Sequence, residues 1–330
     1  MAVSIEDIKK LRAMTGAGLA DVKKALTEAE GDFDKAKELL RERGLAIAAK
    51  RSDRETSNGC VLVKYADNFG AIVALKCETD FVANGADYIK LTQDILDAAV
   101  AAKAKSLDEV KELTLADGTK VLDAVVARSG ITGEKMELDG YNFIEGENIS
   151  TYDHMGKHTL CTMVQTNKAA EEQAHAIAMQ VAAMKPMFLD EASVSQEFIE
   201  EEKKVAAEKT KQELVQKAVD AALKKAGINP AHVDSEEHME SNMGKGWITA
   251  EDVAKAKEII ATVSAEKAAN LPAQMIENIV KGRINRIYKE NCLLNQEFIQ
   301  DSKLSVADYL KAADKDLTVV DYKRFSLSAD

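Results

Sequence analysis

The chain has 330 residues, room for one to three domains, with 46% hydrophobic residues to fill a core and only 5% aromatics. A formal net charge of −12 argues against a general nucleic-acid binder, because phosphate contact wants a basic face. Four widely spaced cysteines form no C-x-x-C, the first seven residues show no leader pattern, and no apolar run reaches membrane-spanning length, so a soluble cytoplasmic protein with reduced thiols is expected.

Residues 1–55 read as a small three-helix module with a linker. Ser4 can cap a first helix, with Asp7 in a capping-box place, and Ile5, Ile8 and Leu11 share a face. Thr15-Gly16-Ala17-Gly18 breaks that helix. A second carries Leu19, Val22, Ala25 and Leu26. After Gly31-Asp32, a third runs through Phe33, Ala36, Leu39 and Leu40 and is expected to end near Gly44. Residues 45–55 are charged and alanine-rich, a linker expected to be helical. A unit this small is more often a docking module than a catalytic one.

Residues 56–140 read as the first half of a core. Strands over 58–65 and 69–77, joined at Asp67-Asn68, suggest an antiparallel hairpin. Lys76 to Asn84 follows, with Thr79, Asp80, Phe81 and Val82 between strand and helix. Here an aromatic beside a carboxylate either projects into another molecule or plugs the local core while Asp80 caps the next helix. Helical spacing returns at Ile89, Ile95, Leu96 and Val100, and again at Leu122, Val125 and Val126.

Residues 141–200 with 283–330 read as the second half. Short strands are expected at 135–138, 141–144, 149–152 and 159–164, with His154 and His158 in the last turn. A helix from Lys168 to Met184 carries Ala170, Ala174, Ile177, Ala178, Val181 and Met184 on one stripe and stops at Pro186. Residues 201–282 form a charged helical insertion with a stripe through Val205, Leu214, Val215, Val219 and Leu223, a polar stretch from Asp234 to Gly246, and further helices after Thr249 and Pro272. A closing strand is expected over 317–325. The whole is an α+β chain.

Recognisable catalytic chemistry is missing from the sequence. No P-loop and no G-x-S-x-G elbow is present, and Gly156-Lys157 and Gly244-Lys245 lack the upstream glycine. His154 and His158 have no cysteine at zinc-like spacing, so they are expected to be surface or satisfied histidines and no metal is expected. Neither an enzyme nor a cofactor is indicated.

Leu11 to Leu26 with Gly31-Asp32 and Ala36, together with Glu78-Thr79-Asp80-Phe81-Val82-Ala83, resemble the two signatures of bacterial translation elongation factor Ts. Tyr152-Asp153-His154 and Ala178 to Pro186 are similar to that family's second core half. The resemblance implies a UBA-like N-terminal module, a two-part core of antiparallel sheets and helices, and a long inserted helical coiled-coil hairpin. It also implies a guanine-nucleotide exchange factor that binds elongation factor Tu and promotes GDP release. Thr79, Asp80, Phe81 and Val82 would dislodge the partner's magnesium. Thr15, Gly16, Ala17 and Gly18 would touch its GTP-binding domain, and His154 would grip another domain. Several family members use this hairpin for self-association, which implies a homodimer through the insertion, and the insertion is longer than is usual for the family. Asn84-Gly85 stands where a basic residue is more usual, and no room is expected for the C-terminal helix that some members carry. A non-catalytic adapter is the competing class, and an unrecognised enzyme a weaker one.

Overall fold

The structure, a computed structural model, describes residues 3–328, so readings placed on Met1, Ala2, Ala329 and Asp330 lie outside it. Helix α1 (Ile5–Thr15) starts on Ser4, whose hydroxyl oxygen accepts from the Asp7 N–H while the Asp7 carboxylate caps Ser4 in return. Ile8 and Leu11 are buried, but Ile5 is exposed, contrary to the expected shared face. Gly16 ends the helix in the left-handed region (φ 68°), and α2 (Leu19–Glu28) follows directly. Val22, Ala25 and Leu26 are its buried stripe, whereas Leu19 is exposed.

Helix α3 (Phe33–Lys50) does not end at Gly44; it continues through the first half of the expected linker. Gly44 is a packing glycine, and a Cβ there would stand 3.0 Å from the Val126 carbonyl oxygen.

Strands β1 (Asn58–Ala66) and β2 (Phe69–Cys77) form the expected hairpin. Asp67 and Asn68 both take positive φ, 50° and 59°, the turn whose twist suits a two-residue hairpin. A four-residue helix α4 (Asp80–Ala83) and then α5 (Ala86–Ala102) follow. Helix α6 (Leu107–Glu112) escaped the sequence reading, and α7 (Val121–Thr132) is the expected short helix.

The two strands expected at 135–138 and 141–144 are one strand, β3 (Met136–Glu145), paired with β2. It passes residue 140 without a break because a bulge opposite Ala74/Leu75 absorbs the irregularity. Gly140 is required there, since an added Cβ would lie 2.4 Å from the Phe325 ring. Strands β4 (Ile149–Asp153) and β5 (Leu160–Thr166) follow, then α8 (Glu171–Met184). Ala174, Ile177, Ala178 and Val181 are buried, but Ala170 only precedes the helix and Met184 is largely exposed.

Helices α9 (Gln196–Lys225), α10 (Glu236–Gly244), α11 (Ala250–Ala269) and α12 (Ala273–Asn291) make up the insertion. Val205 lies outside its buried stripe, at 56% exposure. The polar stretch after Asp234 folds as α10, capped by Ser235 and turned inward at Met239 and Asn242. The returning arm is interrupted at Asn270–Pro272, so α11 and α12 both pack on α9. Strands β6 (Glu297–Phe298) and β7 (Asp301–Ser305), helix α13 (Val306–Ala313) and strand β8 (Val319–Ser326) finish the chain.

Two compact units result, Met1–Leu189 with Glu297–Asp330, and Asp190–Gln296. In the first, sheet β1-β2-β3 and sheet β4-β5-β8 pack face to face. Val61, Ile72, Ala74 and Ile144 meet Ile149, Cys161 and Met163 between them. The opposite face of β1-β2-β3, with Leu62, Val73 and Leu75, packs on Tyr88, Ile95 and Leu96 of α5. Strand β2 is therefore buried on both faces, which explains its unbroken apolar run. The second unit has its own core of Val219, Leu223, Ile228, Val233, Met239, Ile248 and Ala256. No described helix is long and apolar enough to cross a membrane.

Candidate partner-binding site

The corner between β2 and α4 is where local chemistry and exposure coincide. Thr79 is the N-cap of α4, and its hydroxyl oxygen accepts from the Val82 N–H at 3.3 Å. Asp80 therefore occupies the first helical position and does not itself cap the helix. Phe81 is 87% exposed, the largest value among the exposed large apolar side chains of the described residues. A core plug is excluded by that number. Val82 and Ala83 turn inward to pack on the core, so the short helix has a buried heel and an aromatic tip.

The corner is held from several sides. Glu78 accepts from the Lys135 backbone N–H at 2.7 Å, from Arg54 at 2.8 Å and from Arg51 at 3.0 Å. The backbone donor above all, helped by the two guanidinium groups, pulls the Glu78 carboxyl down to about 2. Glu134 accepts from the Thr79 N–H at 3.1 Å and from its hydroxyl at 2.7 Å. Asn84 donates its amide to the Asp80 carbonyl at 2.8 Å, and buried Tyr88 donates to the Leu75 carbonyl at 2.8 Å. Arg51, Arg54, Glu134 and Lys135 were not visible in the sequence as parts of this site. The one signal was a pair of arginines, Arg51 and Arg54, spaced one helical turn apart in a charged linker.

The Thr15–Gly18 loop is built from a C-cap joined to an N-cap. Thr15 donates to the Leu11 carbonyl at 2.7 Å, and the Gly16 N–H donates to the Arg12 carbonyl at 2.7 Å. Ala17 is buried in the module's own core, while Gly16 and Gly18 are exposed. The loop borders a cleft of about 1140 Å³, with Met14, Thr15 and Gly18 on one side and Leu91 and Leu115 on the other.

His154 is exposed on a short 3-10 turn after β4, stacked edge-on with Tyr152 and 3.1 Å from its hydroxyl. His158 pairs instead with Asp153. The two histidines therefore serve different partners, and among the described residues no three His, Cys, Asp or Glu side chains are grouped to hold a metal ion. All four cysteines are buried and unpaired. Burial pushes the Cys60 thiol up to about 12 and the Cys292 thiol up to about 11, which suppresses the reactive thiolate.

The family model described as Elongation factor TS matches residues 78–226 and 216–329, so it begins at the Glu78 corner. The chain is 66% identical to an elongation factor Ts of Bacteroides fragilis and 64% identical to one of Bacteroides thetaiotaomicron. It is 41% identical to that of Porphyromonas gingivalis. Each match runs over all of both chains, insertion included. The chain belongs to the elongation factor Ts family.

Proposed function

We propose that this protein is a guanine-nucleotide exchange factor that binds elongation factor Tu, promotes GDP release and so permits GTP reloading during translation elongation. The observation that carries the reading is the Phe81 side chain, presented to solvent from a corner held by buried and charged partners. An apolar ring left uncovered on a rigid support costs solvation in the free chain, and a partner recovers it on binding.

Exchange needs no covalent chemistry. A protein that binds the nucleotide-free GTPase more tightly than the GDP-bound form must weaken GDP binding by the same factor. Phe81 wedges between packed elements near the partner's magnesium site, and Asp80 disturbs the shell that holds the ion. Loss of the ion unmasks phosphate charge and speeds release. Thr79 and Val82 seat that pair. Thr15, Gly16 and Gly18, backed by buried Ala17, dock the module, read as UBA-like, on the GTP-binding domain, and His154 grips a second domain. The insertion acts as a coiled-coil arm for homodimer formation. The setting is the cytoplasm, without direct nucleic-acid or membrane contact.

Mixing the chain with elongation factor Tu carrying fluorescent GDP, in excess unlabelled GDP, tests the reading. Accelerated loss of fluorescence is expected, and an unchanged release rate would leave a non-catalytic adapter as the better account.

A further inference from the structure

We infer that Glu78 and Glu134 are positioning residues for the Phe81 wedge, and that through them the N-terminal module is mechanically tied to the exchange corner. This inference rests on the exchange reading. Glu78 immediately precedes the N-cap of α4, and Arg51 and Arg54 lie in the turn that follows α3, the last helix of the module. Lys135 closes the same knot from below. Its ammonium donates to the carbonyls of Ser52 and Arg54 at 2.9 and 3.0 Å, while its backbone N–H donates to Glu78. The segment after α3 is thus clasped between two groups that also hold Glu78.

A second connection runs through α7. Helix α3 packs on α7 at Gly44 and Gly130, close enough that no Cβ fits on Gly130. Arg41 of α3 reaches Asp123 of α7 at 3.0 Å. At the far end of α7, the Ser129 hydroxyl donates to the Glu134 carbonyl, and the Glu134 carboxylate takes both donors of Thr79. Two carboxylates, each linked to α3 by a separate route, therefore fix the two residues that come before Asp80.

The geometry has a direct consequence. Four residues make too short a helix to hold its own shape, because nucleation fixes several dihedrals for one hydrogen bond. The orientation of Phe81 has to come from outside α4. Glu78 is only 12% exposed at its side chain and Arg51 30%, so that pair is better shielded than an ordinary surface pair, whereas Arg54 is 57% exposed. A displacement of the module by a partner docking at Thr15–Gly18 is transmitted to the same two carboxylates.

The test uses the full chain with elongation factor Tu and fluorescent GDP, and compares Glu78→Gln, Glu134→Gln, Phe81→Ala and the double variant Glu78→Gln/Phe81→Ala. Gln keeps the shape and one acceptor, so the fold is retained and the β2 amides serve as an internal control. Amide hydrogen exchange at Val82, Ala83 and Asn84 is expected to quicken roughly tenfold in each Gln variant, with β2 unchanged, as local opening without global unfolding does. GDP release is expected to slow roughly three- to tenfold in each Gln variant. In the Phe81→Ala background the Glu78 change is expected to add nothing, the signature of two residues acting as one unit. Additive effects in that cycle, or α4 exchange and GDP release like the parent's, would overturn the positioning role while a slow Phe81→Ala left the exchange reading standing. A parent chain that fails to accelerate release would overturn both.

Discussion

A Cβ added to Gly130 of α7 would stand 2.8 Å from the Gly44 Cα of α3. The two helices meet backbone to backbone, and the obstructing atom cannot rotate away. Gly130→Ala should therefore push α3 off α7 and lower stability by about 1–3 kcal/mol, the usual cost of overpacking. The gain in helix propensity from Gly to Ala, about 1 kcal/mol, offsets part of it. Thermal melting with limited proteolysis across residues 45–55 checks this, and a raised melting temperature would show slack in the contact.

Gly16 and Gly18 separate two effects in the loop. Gly16 has φ 68°, so Gly16→Ala should cost about 1 kcal/mol of stability through backbone strain alone. Gly18 has an ordinary φ of −60°, and an added Cβ meets only the Asp21 carboxylate tip at 3.3 Å. Gly18→Ala should leave the melting temperature in place and weaken binding to elongation factor Tu. Calorimetry showing unchanged affinity for Gly18→Ala would remove this loop from the interface.

Phe81→Ala should melt with the parent, because an 87% exposed ring contributes little to the core. The same change should weaken the complex with elongation factor Tu by about 2–4 kcal/mol, as loss of a central aromatic anchor does. Asp80→Ala should slow GDP release with a smaller loss of affinity, since the part proposed for it is electrostatic. Stopped-flow release rates and titration calorimetry distinguish the two patterns, and equal losses of affinity would contradict the division of labour.

Acidification should loosen the corner through Glu78. Its carboxyl lies at about 2 in the folded chain against an ordinary 4.5, so the folded state favours the ionised form. Stability from this group is complete above the unfolded value and is lost as pH falls from about 4.5 towards 2. Glu78→Gln should flatten the stability profile in that window and leave it parallel to the parent's at neutral pH. Denaturant melts across the acid range check the slope, and identical slopes would show that Glu78 carries no linkage.

The second unit makes two separate predictions. Leu223 is 2% exposed in its core, so Leu223→Ala should cost about 2–5 kcal/mol and melt the insertion. Self-association through the insertion predicts that replacing residues 212–270 with a short Gly/Ser linker lowers the number of chains per particle in light scattering. An unchanged number of chains per particle would assign those helices to packing within one chain.

Much of this fold was legible because its signals act over a few residues. Ser4 with Asp7, the Asp67-Asn68 turn, and the apolar run of β2 each specify local geometry from neighbours in sequence. The signature around Asp80 and Phe81 was likewise visible, but its meaning was not, since a Phe after a strand is equally at home in a core. Tertiary structure decided that question, because burial depends on which distant elements cover a side chain. It also decided that Gly44 is a contact and not a stop, for its partner lies 86 positions along the chain at Gly130. The partners of Glu78 lie 24, 27 and 57 residues away, so its place as the anchor of the corner could not be read from its neighbours in sequence. Periodicity reports which face of an element is apolar; only closure of the chain brings the groups together that give an exposed ring a fixed direction.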